Sequence, residues 1–128
     1  MPRRLTDNEV ATYPLVIRRG ITWSRVFQFT NNDGTPIDMT GMSVVVHIRD
    51  IFDTLFVLST DDAATALGSE VVFTDQANGI FRFKLTDEET LTANEVDSSD
   101  DGLWWVEYHD DGDVQLLIEP SCATAEDI

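Results

Sequence analysis

Two histidines, one cysteine and twenty-four carboxylates are the groups through which this chain could do chemistry. His47 and His109 are the available imidazoles, suited to carrying protons or ligating a metal. A structural zinc site takes its ligands in close sequence pairs, and these two have no such spacing. They read as two partly exposed histidines. Cys122 has no base beside it and reads as an inert thiol. A single cysteine also excludes an internal disulfide framework. Serine, histidine and aspartate are all present, but no G-x-S-x-G elbow is, so nothing supports a hydrolase.

The carboxylates offer oxygen ligands in two clusters, Ser98-Ser99-Asp100-Asp101-Gly102 and Asp110-Asp111-Gly112-Asp113. Neither has the register of an EF-hand loop, and both read more simply as turns chosen for backbone geometry. Glu88 and Glu89 are neighbours at a helix start and point apart, whereas a glycosidase needs two carboxyls facing one cleft. The sequence therefore assigns no catalytic residue, no metal ligand and no cofactor. Its most informative surface candidate is aromatic. In Leu103-Trp104-Trp105-Val106-Glu107-Tyr108, successive side chains point to opposite faces of a strand. Glu107 marks the outer set, which places Trp105 outside, either exposed or covered by a partner as an interface anchor, or covered by a loop of the same chain.

Charge is unevenly distributed along the chain. Residues 1–49 carry six Lys/Arg against four acids, a net +2, and residues 50–128 carry two against twenty, a net −18. Such a balance argues against nucleic acid, which needs a basic face to displace its counterions, and against an anionic membrane surface. It suits a self-repelling chain whose few cations seek acidic neighbours. Arg3, Arg4, Arg18 and Arg19 are the candidate basic contacts. Asp100, Asp101, Asp110, Asp111 and Asp113 are the candidate acidic ones. No run approaches the length of a membrane span, and the N-terminus leads into no apolar segment of the signal-peptide kind.

The elements that must position these residues are mostly strands. Expected strands cover Tyr13–Arg19, Ile21–Phe29, Met42–Arg49, Leu55–Ser59, Glu70–Thr74, Ile80–Leu85, Leu103–His109 and Val114–Glu119, each from period-2 alternation or a β-branched run. Arg25 falls on the apolar side of its strand, an imperfection in the pattern. Asn-Gly at Asn78-Gly79 and Asp-Gly at Asp111-Gly112 mark tight hairpins. Thr86-Asp87-Glu88-Glu89 is a capping box that predicts a short helix over Asp87–Ala93. Seven or eight strands and one brief helix indicate one all-β antiparallel sandwich over residues 1–128, with 1–8 and 120–128 as extended assembly arms. The core is expected at Trp23, Phe27, Phe29, Val44, Val46, Ile48, Phe81, Phe83, Trp104 and Val106.

Several stretches together resemble a group of tailed-phage virion proteins, those similar to the N-terminal domain of baseplate upper proteins. They are Val16-Ile17-Arg18-Arg19-Gly20, Asp33-Gly34-Thr35-Pro36-Ile37-Asp38-Met39-Thr40-Gly41, the strand ending at Arg49, and Asn78-Gly79 followed by strand and short helix. Leu103–Tyr108 with its Asp-Gly hairpin resembles the closing pair. Ile21 departs from the group, where a polar residue often follows the basic-Gly turn. The resemblance implies an immunoglobulin-like sandwich that acts by assembly rather than chemistry, made in a host cytoplasm and kept in a virion. Its expected partners are other virion proteins and copies of itself. A capsid decoration protein of the same fold is the nearest alternative. A carbohydrate-binding module using Trp105 or Trp23 as a stacking platform is another.

Overall fold

A computed structural model describes residues 3–6, 11–53, 55–95 and 102–126. Nine strands lie among them: β1 (Arg3–Thr6), β2 (Leu15–Arg18), β3 (Trp23–Thr30), β4 (Met42–Arg49), β5 (Phe56–Ser59), β6 (Glu70–Asp75), β7 (Ile80–Leu85), β8 (Leu103–Asp110) and β9 (Asp113–Glu126). They form two sheets, one ordered β1-β3-β7-β6 and the other β2-β9-β8-β4-β5. The architecture is the expected all-β sandwich. Two pairings depart from the antiparallel expectation: β1 runs parallel to β3, and β2 runs parallel to β9. No helix among the described residues is long and apolar enough to cross a membrane.

Alternation explains the layers. Phe81, Phe83 and Leu85 of β7 are buried, as are Val44, Val46 and Ile48 of β4 and Trp104 and Val106 of β8. These inner faces meet in one hydrophobic core. Phe27 stacks on Phe81 at 5.5 Å within the four-stranded sheet, and Phe83 stacks on Trp104 at 5.9 Å across the two sheets. Nine of the ten expected core residues are buried; Trp23 is half-buried, 4.9 Å from Phe83 and 6.3 Å from Trp104. It sits where the inner face of β3 reaches solvent. Arg25, the irregularity in that strand, is exposed and lies 5.7 Å over the Trp23 ring, with Nε donating to the Tyr13 hydroxyl. The cation shields an aromatic edge that the other sheet does not cover.

The helix is α1 (Asp87–Leu91), capped by the Thr86 side chain, which accepts from the Glu89 N–H. The reciprocal half of the capping box is replaced. The Thr86 N–H donates to Ser69 Oγ, and Glu89 accepts from the Thr65 hydroxyl. Both members of the box thus bind the loop before β6 to the helix start.

The Asp33–Gly41 segment is a pair of repeated side-chain turns. Thr35 donates its N–H and hydroxyl to Asp33, and Thr40 does the same to Asp38. Such bonds mimic a backbone turn, and with them the side-chain hydroxyls of Thr35 and Thr40 hold both carboxyls below their ordinary range. Gly79 anchors the segment. Its φ is +69°, and a Cβ there would stand 2.6 Å from the Ile37 carbonyl oxygen and 2.7 Å from that of Phe29. Only glycine fits a left-handed position so closely approached.

Arg3–Thr6 and Pro120–Glu126, expected within extended arms, are strand residues paired inside the chain. In β9 the inward positions are filled by Ala123 and Ala125, both fully buried. Small residues close to the partner strand give a weak apolar signal, which is why the segment reads as patternless. Bulges between Trp104 and Glu107 shift the β8–β9 register, which lets consecutive Leu117 and Ile118 both be buried.

Candidate functional site

The outer face of the five-stranded sheet gathers the polar residues with the closest geometry. In the β4–β8 register His47 stands opposite Trp105, Val45 opposite Glu107 and Ser43 opposite His109. All of these point away from the core, since Val44, Val46, Trp104 and Val106 point into it. His47 Nε2 lies 2.9 Å from Glu107 Oε1, and His109 Nε2 lies 3.0 Å from the same oxygen. One carboxylate oxygen thus accepts from an imidazole across the strand and another two residues along its own strand. The His47 ring lies 4.9 Å from the Trp105 ring and within 8° of parallel. Trp105 is half-buried, and one face of its indole is occupied by a residue of this chain.

This geometry determines the protonation pattern. His47 Nδ1 is buried without a hydrogen-bond partner. A proton on Nδ1 would be an unsatisfied buried donor, so the imidazole carries its proton on Nε2 and donates it to Glu107. Ligating a metal through Nε2 would force the proton onto Nδ1, where nothing accepts it. Among the described residues no group of three or more His, Cys, Asp or Glu could hold a metal ion. Burial works against ionisation of Glu107, but hydrogen bonds from His109 and His47 outweigh it and hold the carboxyl below its ordinary range. A carboxylate so stabilised is a poor general base. The cluster fixes the outer surface of two strands rather than activating a group.

Apolar side chains surround it. Val57 on β5 pairs with His47, and Leu116 and Val114 on β9 pair with Glu107 and His109. All three are exposed, as are Leu55, Val16 and Ile21.

The four arginines expected as basic contacts are not alike. Arg3 and Arg4 belong to β1, and their side chains lie outside the described residues. Arg18 is exposed at the end of β2, 3.8 Å from Glu126 on the neighbouring strand. Arg19 folds back onto the end of α1, donating Nε to the Ala93 carbonyl at 2.8 Å and Nη2 to that of Leu91 at 3.4 Å. It satisfies helix C-terminal carbonyls, a favourable place for a cation. Arg18 and Arg25 instead share a cleft with Thr22, Trp23 and Ser24 beside β2.

Asp110, Asp111 and Asp113 are exposed at the β8–β9 hairpin. Asp111 has φ 49° and Gly112 φ 90°, the two positive values of a tight hairpin. Turn geometry accounts for this sequence. The hairpin opens β9, whereas Arg18 pairs with Glu126 at its far end, so one molecule holds the acidic turn and Arg18 at opposite ends of that strand. Asp100 and Asp101 lie outside the described residues. Cys122 is exposed.

Sequence reasoning assigned Glu107 to an outer face and read both histidines as partly exposed, but did not bring the three together. Doing so requires knowing that β4 and β8 are neighbours and in what register.

No protein-family model matches the chain. No curated protein matches it. A solved structure similar to it is the N-terminal domain of phage TP901-1 ORF48, at 13% identity over 94% of each chain and a TM-score of 0.47.

Proposed function

We propose that this chain is a structural protein of a tailed-phage virion, part of a tail, baseplate or connector, acting by packing against other virion proteins and copies of itself. The observation that supports the reading is the outer surface of the five-stranded sheet. Val16, Leu55, Val57, Val114 and Leu116 are exposed there in a chain of net charge −16. Apolar side chains grouped on one sheet of so acidic a protein fit a surface that another protein covers. Beneath them, the His47–Glu107–His109 bonds and the Trp105 stack hold the strands' outer side chains in fixed positions, which lowers the ordering cost of docking. The twin Asp-Thr turns of Asp33–Gly41 give a physical content to the segment that most resembles the virion group.

The charge balance favours protein partners over nucleic acid or a membrane surface. The test is to purify particles from infected cells and probe them with an antibody to this protein, by blotting and by negative-stain imaging. Labelling at a fixed place on the particle is expected. Its absence from intact particles, with free protein abundant in the lysate, overturns the reading. Labelling of the head surface selects the capsid decoration alternative.

A further inference from the structure

Among the described residues the five-stranded sheet ends in two open edges, and we propose that they are complementary halves of one interface: β2 of one copy pairs antiparallel with β5 of the next. Copies would join head to tail in one continuous sheet. The inference deepens the proposed assembly role and rests on it, naming a second copy of this chain as one partner.

The hydrogen-bonding groups match. Among the described residues β2 pairs only with β9, and β5 only with β4. The Arg19 N–H donates to the Glu126 carbonyl, so in β2 the bonds to β9 fall on the odd-numbered residues. The main-chain groups of Val16 and the Arg18 N–H therefore point to the open side, while the Arg18 carbonyl accepts from Ile21. On β5 the Thr60 N–H donates to the Val44 carbonyl, so the bonds to β4 fall on the even-numbered residues. The groups of Val57 and the Ser59 N–H point to the open side, while the Ser59 carbonyl accepts from Asp62. Each edge thus presents one valine with both N–H and C=O free for a neighbour. Val16 and Val57 can exchange two hydrogen bonds as a directly opposed pair.

The faces match as well. Val16 is 46% exposed and Val57 44%, and both lie on the outer face, flanked by inward Leu15 and Ile17 or inward Phe56 and Leu58. Pairing Val16 with Val57 sets outer residues against outer and inner against inner. A parallel pairing would shift the register by one residue and reverse one copy.

Strand direction then fixes how copies are related. β9 is parallel to β2 and antiparallel to β8, β8 is antiparallel to β4, and β4 is antiparallel to β5. β2 and β5 hence run in opposite directions within one molecule. Copies in the same orientation present them to each other antiparallel, with no inversion needed. Arg18 would fall opposite Leu55 of the next copy, beside its exposed Asp53, so that the arginine stem covers the leucine and the guanidinium meets the carboxylate. Such a heterologous contact closes into a ring or propagates as a filament.

The test uses the full chain carrying Cys122→Ser, at physiological ionic strength so that the −16 charges are screened. Val16→Cys and Val57→Cys are made separately. A directly opposed antiparallel pair places Cα atoms about 5.5 Å apart, within disulfide range. Mild oxidation should cross-link the mixture of the two variants and neither alone. In parallel, sedimentation of the wild-type chain should show mass rising with concentration. Val57→Pro, which removes an N–H that no described strand of the monomer uses, should abolish that rise with the circular dichroism unchanged. Cross-links within a single variant, none in the mixture, or a wild-type chain monomeric at every concentration overturns the proposal. Those results leave the particle-labelling test unaffected, so failure of the edge pairing is distinguishable from failure of the virion reading.

Discussion

The indole N–H of Trp104 donates to the backbone carbonyl of Tyr13 across 2.6 Å, and the Tyr13 ring stands edge-on to the same indole at 6.1 Å. The largest buried side chain of the protein is thereby satisfied by the segment that enters β2. Trp104→Phe keeps most of the aromatic surface but leaves the Tyr13 carbonyl without its donor. A loss of about 1–3 kcal/mol is expected in denaturant unfolding. Phe83→Ala, which deletes a fully buried ring without touching a polar group, should cost about 3–5 kcal/mol. Near-neutral unfolding midpoints for both variants would contradict this core.

Glu107 supplies a pH dependence. Its carboxyl is held below the ordinary range when folded, so it binds protons less readily than in the unfolded chain. Its stabilising contribution is present above the unfolded value and is lost as pH falls through the folded value. Glu107→Gln should flatten the acid limb of melting temperature against pH and lower stability near neutrality. An acid limb identical to that of the wild type would show that the two imidazole bonds carry no net energy.

Adjacent arginines should respond differently. Arg19→Ala removes bonds to the carbonyls that end α1 and should cost about 1–2 kcal/mol. Arg18→Ala removes one exposed pair and should change stability by less than about 0.5 kcal/mol. Urea midpoints of the two variants distinguish these roles, and equal losses would place both arginines in the same structural role.

Gly79→Ala places a Cβ against two carbonyl oxygens at a left-handed φ. The conformational penalty alone is about 1–2 kcal/mol, and the clash adds to it. The expected result is a destabilised chain with lost amide protection at Phe29 and Ile37, whose N–H groups bond within the same turn cluster. Unchanged protection there would mean that the segment relaxes freely.

Amide exchange also tests the last strand. Ala123 is fully buried and its N–H donates to the Gly102 carbonyl, so its amide should be among the slower ones. Exchange at random-coil rates would mean that the segment leaves the sheet in solution.

Elements with bulky alternation were legible in advance. Met42–Arg49 is a strand with its expected bounds, and Thr86 caps the helix as its sequence predicts. β1 and the end of β9 were not legible. Leu5 alone cannot establish a period, and Ala123 and Ala125, though fully buried, are too small to give a clear apolar alternation. The parallel β2–β9 pairing is invisible to hairpin logic, because no local turn specifies it. For the candidate surface, alternation placed Trp105 and Glu107 outside. It could not show that Trp105 is half covered by His47, since a cross-strand stack depends on register between distant segments. Clusters of arginine in the sequence likewise did not distinguish Arg18, directed to solvent, from Arg19, directed to the Leu91 and Ala93 carbonyls at the end of α1.

The parallel pairing of β2 with β9 has a kinetic consequence. Leu15 is matched to Ala123, more than a hundred residues later, so β2 has no ladder partner until almost all the described chain has left the ribosome. Closing so long a loop costs entropy before any contact rewards it, and topologies of this kind fold slowly. During that interval both sides of β2 are open, one of them only until β9 arrives. A nascent chain would therefore be most vulnerable to mispairing at Leu15–Arg18, and crowding by its own siblings on a polysome would expose it to strands of neighbouring copies before its own is available.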